Sequence, residues 1–252
     1  MKEKYSRHLR FKSITNFRDL GGYRTRSGRT VAWRRVFRSG EFSWMTKEDY
    51  QRLKEEIQLA TVIDLRSAQE VERQGIGLFS GADLRYHSVP FLAGTSRADD
   101  EKFLQQCTDM GDFYLYITKH ESFGSQIVRA LEIIAEPENH PLVFNCAIGK
   151  DRTGILAAML LSLVGVPDKD IIEDYSLSGP YMEELLEKIK SDPRTAENAP
   201  PHIPDYFWKA RPESMELFLT TLRKKHGSIP GYLESMGSKD SLIERLKAAL
   251  LA

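Results

Sequence analysis

Apolar residues recur along this chain in two periods. Short runs that suit strands are Val36-Phe37, Ala60 to Leu65 (ending in Asp64), Leu84 to Val89 (stopped by Pro90) and Leu142 to Phe144. Arg24 to Arg38 reads as a hairpin, with Thr30-Val31-Ala32-Trp33 and Val36-Phe37 strand-like around a turn at Ser27-Gly28. Longer stretches have helical spacing. Thr46 reads as an N-cap, with Asp49 at the third helical position, opening a helix to about Ile57. Phe113 to Ala135 should pack beside the sheet. Ile155 to Val164 is apolar on all sides, so it should be buried, and Gly165 and Pro167 stop it. Asp170 to Lys190 reads as helical, broken near Gly179-Pro180, and two further helices span Glu213 to His226 and Ser241 to Leu251. Alternating short strands and longer helices imply an α/β fold, a central sheet flanked by helices with a helical C-terminal region.

Two stretches break the pattern. Phe91 to Asp112 is more polar and reads either as a lid or as an ordinary surface loop. Ser191 to Pro212 holds Pro193, Pro200, Pro201, Pro204 and Pro212 and reads as a loop or insertion within one domain, 1–252. Lid elements are therefore expected within 91–112 and 191–212.

Composition narrows the function classes. The 252 residues, 41% hydrophobic, suffice for one large core. Lys plus Arg number 36 and so do Asp plus Glu, so bulk charge gives no reason to expect nucleic-acid binding. Cys107 and Cys146 are the only cysteines, which excludes a four-cysteine zinc site and argues against a disulfide framework. His87, His120, His140, His202 and His226 show no metal-ligand spacing, and no metal is assigned. Met1 to Arg10 is charged, without an apolar signal segment, and no run reaches the ~20 apolar residues of a membrane span. The expectation is a cytoplasmic protein, with secretion lacking a visible signal left open.

The chemistry concentrates in Asn145-Cys146-Ala147-Ile148-Gly149-Lys150-Asp151-Arg152-Thr153-Gly154, read as strand, loop and helix with a thiol at the mouth of the loop. Backbone N–H groups of Ala147, Ile148, Gly149 and their successors, followed by a helix N-terminus, suit an anion. Gly149 permits a turn that a side chain would obstruct. The planar fork of Arg152 can grip two phosphate oxygens. The same donors favour the thiolate of Cys146, which can attack phosphorus to give a cysteinyl-phosphate. Thr153 can donate its hydroxyl to the sulfur. Asp151 is the nearest general acid, and a bound phosphate beside it favours the protonated form. Lys150 reads as a cation at the rim for a second acidic group. A nucleotide-binding loop is excluded, because Asp151 rather than Ser or Thr follows the lysine. A structural cysteine and a solvated turn are the bland alternatives, and neither explains the whole run.

The loop resembles that of the cysteine-dependent protein tyrosine phosphatases: Cys, five residues, Arg, then Ser or Thr. Gly149-Lys150-Asp151-Arg152-Thr153-Gly154 is similar to a bacterial subfamily of tyrosine and phosphoinositide phosphatases. Further blocks look familiar: Asn16 to Tyr23, Arg38-Ser39-Gly40, Ile63 to Ser67, Asp174 to Ser178 and Gly227 to Leu233. The resemblance implies a tyrosine-phosphatase-like catalytic domain, a phosphotyrosine protein or phosphoinositide substrate, and no cofactor. It associates Lys150 with phosphoinositide activity and Asp151 with the acid; no Trp-Pro-Asp acid loop is present. One position departs: Asn145 stands where the family usually has histidine. This leaves open a weak or inactive phospho-ligand-binding module as the alternative.

Further candidates carry weaker expectations. Asp64 could assist proton transfer or hold Arg152, or simply pair with Arg66. Arg18 and Asp19 could buttress the loop, an internal salt bridge being favoured. Cys107 could resolve an oxidised Cys146, but a core position is favoured. Tyr175, Tyr181, Tyr206, Phe207 and Trp208 could line a pocket, with core packing again the commoner role.

Overall fold

The computed structural model describes residues 5–92, 97–191 and 204–252, with side chains of 97–101 and 188–191 left undescribed. Five strands form one sheet: β1 (Arg18–Asp19), β2 (Val36–Ser39), β3 (Thr61–Asp64), β4 (Arg85–Ser88) and β5 (Leu142–Asn145). Their order is β1-β2-β5-β3-β4. All neighbours run parallel except β1 and β2.

Both faces of the sheet are covered, which explains why its inner strands read as continuous apolar runs. Successive side chains alternate between two cores. Val36, Ile63, Leu142 and Phe144 face the larger one, while Phe37, Val62 and Val143 face the other, with Phe17, Phe42, Leu53 and Phe79.

The helices are α1 (Lys47–Arg52, continued by a wider turn over Leu53–Ile57), α2 (Ala68–Gln74), α3 (Arg97–Gln106), α4 (Met110–Thr118), α5 (Glu121–Ala135), α6 (Asp151–Leu163), α7 (Asp168–Ser176), α8 (Gly179–Ser191), α9 (Pro212–His226), α10 (Ile229–Ser235) and α11 (Ser241–Leu250). Thr46 caps α1 by accepting from the Asp49 N–H, as its position implies. The α6 helix is sheathed by protein along most of its length, and Gly165 ends it at φ +92°.

Several expectations need correction. The hairpin contracts to a single bridge, Arg24 to Thr30, around Gly28, because Val36-Phe37 pairs with β1 and β5 instead. Phe113 to Ala135 is two helices, parted near Lys119-His120, and the polar stretch before it contains α3. Of the two expected lid stretches, 93–96 and 192–203, and with them His202, lie outside the described residues.

Parallel register sets up the site. Asn145 is level with Ser39 on one side and Asp64 on the other. Cys146 therefore leaves the carboxyl edge of the sheet at its centre, where crevices form in open α/β sheets.

Candidate active site

The loop after β5 is held from behind. The Glu41 N–H donates to the Ala147 carbonyl at 3.2 Å. Asn16 Nδ2 donates to the carbonyls of Ile148 at 3.1 Å and Gly149 at 3.0 Å, and Arg38 Nη2 donates to Gly149 at 2.8 Å. In a planar trans peptide the N–H points opposite the C=O. The N–H groups of Ile148, Gly149 and Lys150 therefore turn away from this support. Gly149 lies at φ +74°, and a Cβ there would stand 2.5 Å from the Ser39 carbonyl. Gly149→Ala is expected to cost roughly 1–3 kcal/mol and to open the loop. Chemical denaturation together with phosphate titration checks it.

Behind the loop, Asp174 binds Arg18 at 3.0 Å and also Arg38, all three buried. Burial opposes the charge on Asp174, but Arg18 and then Arg38 overcome it and hold its carboxyl well below the usual range. The cluster retains one net positive charge behind Cys146. Arg38 and Arg152 both feel the charge of a Cys146 thiolate.

Cys146 is buried, at 3% exposure. Arg152, in the first turn of α6, is gripped at both terminal nitrogens by Glu70, each contact 2.7 Å. Burial pushes the Glu70 carboxyl up, but Arg152 and Ser67 outweigh it and hold it at about 2. Since that value lies below an unfolded glutamate's ~4.3, ionised Glu70 stabilises the fold above pH ~4.3. The contribution fades as pH falls towards about 2. Glu70→Gln should therefore flatten the loss of stability across this window, read by urea unfolding at successive pH values.

Asp151 opens α6 beside the same cleft. The Tyr114 hydroxyl donates to it at 2.6 Å, and Tyr175 lies 2.8 Å beyond. The Thr153 hydroxyl is buried and has no partner among the described residues. A cleft of about 300 Å³ has Cys146, Ala147, Ile148, Asp151 and Arg152 on its floor. Its walls are apolar: Phe91, Met110, Phe113, Ile117, Phe123 and Phe207 among them. Among the described residues, no group of three or more His, Cys, Asp or Glu could hold a metal.

Residues 9–252 match the family model described as "Tyrosine phosphatase family". The chain belongs to the tyrosine phosphatase family. It is 32% identical over 193 residues to a tyrosine-protein phosphatase of Nostoc commune, covering 75% of this chain and 65% of that protein. To the triple specificity protein phosphatase PtpB of Mycobacterium tuberculosis it is 25% identical over 274 residues, 94% of this chain and 96% of that one. The match thus spans just under two thirds of the Nostoc relative. Among solved structures it is similar to the Siw14 catalytic core, with a TM-score of 0.40 and 16% identity, covering 84% and 85% of the two chains.

Three sequence-selected residues of this tyrosine phosphatase family chain sit differently from expectation. Lys150 is not at the rim. Its ammonium is fully buried, donating to the carbonyls of Phe207 and of Lys209, the latter at 3.2 Å, with the Phe207 ring 4.8 Å away. Asp64 neither lines the cleft nor holds Arg152. It is 1% exposed and accepts from Arg66 at 2.7 Å and from the Tyr86 hydroxyl. Asn145, also buried, reaches Asp64 at 3.5 Å, and its Oδ1 has no partner among the described residues.

Of the aromatic candidates, Phe207 alone lines the cleft; Tyr175 is buried beside Tyr114, and Tyr206 donates to the Leu104 carbonyl. Arg18 does support the loop, through Asn16 and Asp174, whereas Asp19 binds backbone N–H groups of Gly21 and Arg34. Cys107 is half-buried, and burial pushes its thiol up to about 11, a poor resolving nucleophile. Sequence reasoning missed Glu70 and the cleft walls. Both had signals: Ser67 and Glu70 form a capping box, and Met110, Phe113 and Ile117 share one helical face.

Proposed function

We propose that this chain is a protein-tyrosine phosphatase that hydrolyses phosphomonoesters through a cysteinyl-phosphate. The observation that carries the reading is one cleft that joins Cys146 and Arg152 to deep apolar walls. A phenyl ring fills such walls while its phosphate reaches the loop. A phosphoserine would leave them empty.

In the first step the Cys146 sulfur attacks phosphorus, the ester P–O bond breaks, and Asp151 gives its proton to the leaving phenoxide. In the second step water attacks phosphorus, Asp151 takes a proton from it, and the sulfur leaves as thiolate. Ala147, Ile148, Gly149 and Lys150 offer backbone donors, and Arg152 clamps two oxygens throughout. The unpartnered Thr153 hydroxyl is assigned to the departing sulfur. Lys150 serves as a tie to the Phe207 segment, not as a substrate contact. Asp64 anchors Arg66. Lid elements within 91–112 and 191–212 are supported by their described residues alone: Phe91 and Met110 of one and Phe207 of the other form cleft wall. The triple specificity in the mycobacterial relative's name supports some breadth beyond phosphotyrosine. Two free thiols suit a reducing, cytoplasmic setting; among the described residues no helix is long and apolar enough to cross a membrane.

The reduced protein should hydrolyse para-nitrophenyl phosphate in EDTA. Iodoacetate should inactivate it, and inorganic phosphate should slow that inactivation. No turnover anywhere from pH ~5 to ~8 would replace this reading with a binding module disabled at Asn145.

A further inference from the structure

Two hydroxyls that lie outside the cleft reach Asp151 from behind. Tyr114, on α4, donates to Asp151 Oδ1 at 2.6 Å, and its oxygen lies 2.8 Å from the Tyr175 hydroxyl on α7. Neither tyrosine lines the cleft, and both are buried. The Lys150 ammonium stands 3.4 Å from the same Oδ1. Asp151 Oδ2 has no partner among the described residues. The two oxygens of this carboxyl are thus unlike: one is held by the protein, and the other is left to the cleft that Asp151 lines.

Proton counting gives this chain of hydroxyls a direction. A phenol has one proton to donate. Tyr114 gives its own to Asp151, so the Tyr175 hydroxyl must donate to the Tyr114 oxygen. In the reverse order a protonated Oδ1 would donate to Tyr114, and Tyr114 to Tyr175. The Tyr175 proton would then be buried without an acceptor among the described residues. Burial, and after it the Asp151 charge, push both phenols up, so both keep their protons. The rings are fixed as well. Tyr114 meets Tyr175 and Phe218 edge-on, with centroids 6.1 and 5.9 Å away. Tyr175 lies so close to the start of α6 that a Cβ on Gly154 would stand 3.1 Å from its ring.

We propose that Tyr114, steadied by Tyr175, is a positioning residue that holds Asp151 so that its outer oxygen, Oδ2, carries the proton given to the leaving phenoxide. The proposal rests on the tyrosine-phosphatase reading and assigns how its acid is aimed. With Oδ1 occupied as an acceptor, the acid's proton belongs on Oδ2. When the ester P–O bond breaks, that proton passes from Oδ2 to the phenoxide oxygen. The carboxylate left behind keeps the Tyr114 hydroxyl on Oδ1, and in the second step Oδ2 takes a proton from the attacking water. Tyr114 and Tyr175 move no proton in either step. A proton donor must lie within hydrogen-bond reach of its acceptor, and a small misplacement costs rate steeply.

The test uses the full chain with Tyr114→Phe, Tyr175→Phe and Asp151→Asn, each alone, and with Tyr114→Phe and Asp151→Asn combined. Each variant is assayed for kcat/KM on a phosphotyrosine peptide, whose phenol needs a proton to leave, and on para-nitrophenyl phosphate, whose phenol does not. Tyr114→Phe keeps the ring and removes the hydroxyl. It should lower the ratio of peptide to para-nitrophenyl phosphate turnover about tenfold. Tyr175→Phe should lower it about threefold, since the donor to Asp151 remains. In the Asp151→Asn background, Tyr114→Phe should leave the ratio within about twofold, because the group it positions is gone. A merely structural tyrosine would loosen the cleft and slow both substrates alike. Equal loss on both substrates, or an unchanged ratio in Tyr114→Phe, overturns the positioning role alone. So does a tenfold loss that persists beside Asp151→Asn, or an unchanged ratio in Asp151→Asn itself. Should thermal melts show that Tyr114→Phe does not fold, Tyr175→Phe decides: a lowered ratio supports the role and an unchanged one overturns it. Failure of the unmodified chain to turn over para-nitrophenyl phosphate at all overturns the underlying reading and the role with it.

Discussion

Cys146→Ser is expected to lower kcat at least about 10⁴-fold while leaving phosphate bound. The expectation follows from how the loop is held. Its carbonyls are fixed by Glu41, Asn16 and Arg38, and Arg152 is fixed by Glu70; none of these contacts uses the sulfur. A serine hydroxyl at this buried position is smaller by a fraction of an ångström and does not ionise near neutral pH. The cradle should stay intact while the nucleophile is lost. Stopped assays give the rate, calorimetric titration with inorganic phosphate gives the affinity, and thermal melts show whether the fold is kept. Retention of more than a tenth of the activity would remove Cys146 from the mechanism. Loss of phosphate affinity with an intact fold would mean that the thiolate, not the backbone, shapes the cradle.

The elements legible from sequence are those whose own residues decide them. The runs at Ala60 to Leu65 and Leu142 to Phe144 became inner strands because both of their faces are covered. The all-apolar α6 became a buried helix for the same reason. Thr46 capped its helix because the cap needs only local chemistry. What failed depended on distant partners. Val36-Phe37 looked like half of a hairpin, yet its pairing comes from Arg18–Asp19 and from β5, more than a hundred residues onward. Lys150 looked like a rim cation because its neighbours in sequence line the cleft. Its burial comes from carbonyls at 207 and 209, which no local pattern reveals. Glu70 was readable as a helix cap, but its grip on Arg152 was not, since one carboxylate serves both: Oε2 accepts from the Ser67 N–H at 2.8 Å and from Arg152 at 2.7 Å. The loop itself was legible because phosphate chemistry constrains consecutive residues.

The choice between Asp151 and Asp64 as general acid separates by leaving group. Asp151 lies on the cleft floor, with the Tyr114 hydroxyl on one oxygen. Asp64 is sealed beneath it, held by Arg66. A tyrosine phenol, of pKa about 10, leaves poorly without a proton, whereas para-nitrophenol leaves readily. Asp151→Asn should therefore cut kcat on a phosphotyrosine peptide by about 10²–10³-fold, and on para-nitrophenyl phosphate by far less. The ratio of the two substrates' rates therefore reads out the acid directly, and it should rise in favour of para-nitrophenyl phosphate in Asp151→Asn. Asp64→Asn should act differently. It keeps Arg66 paired with Glu41 but weakens the buried hydrogen bonds that Asp64 accepts, so stability should drop by roughly 1.5–3 kcal/mol while the ratio between the two substrates holds. If Asp64→Asn instead changes that ratio and Asp151→Asn leaves it, the proton must travel from beneath the loop, through Asn145, which reaches Asp64 at 3.5 Å. The residue that replaces the family's histidine would then be part of the proton path and not merely a neutral support.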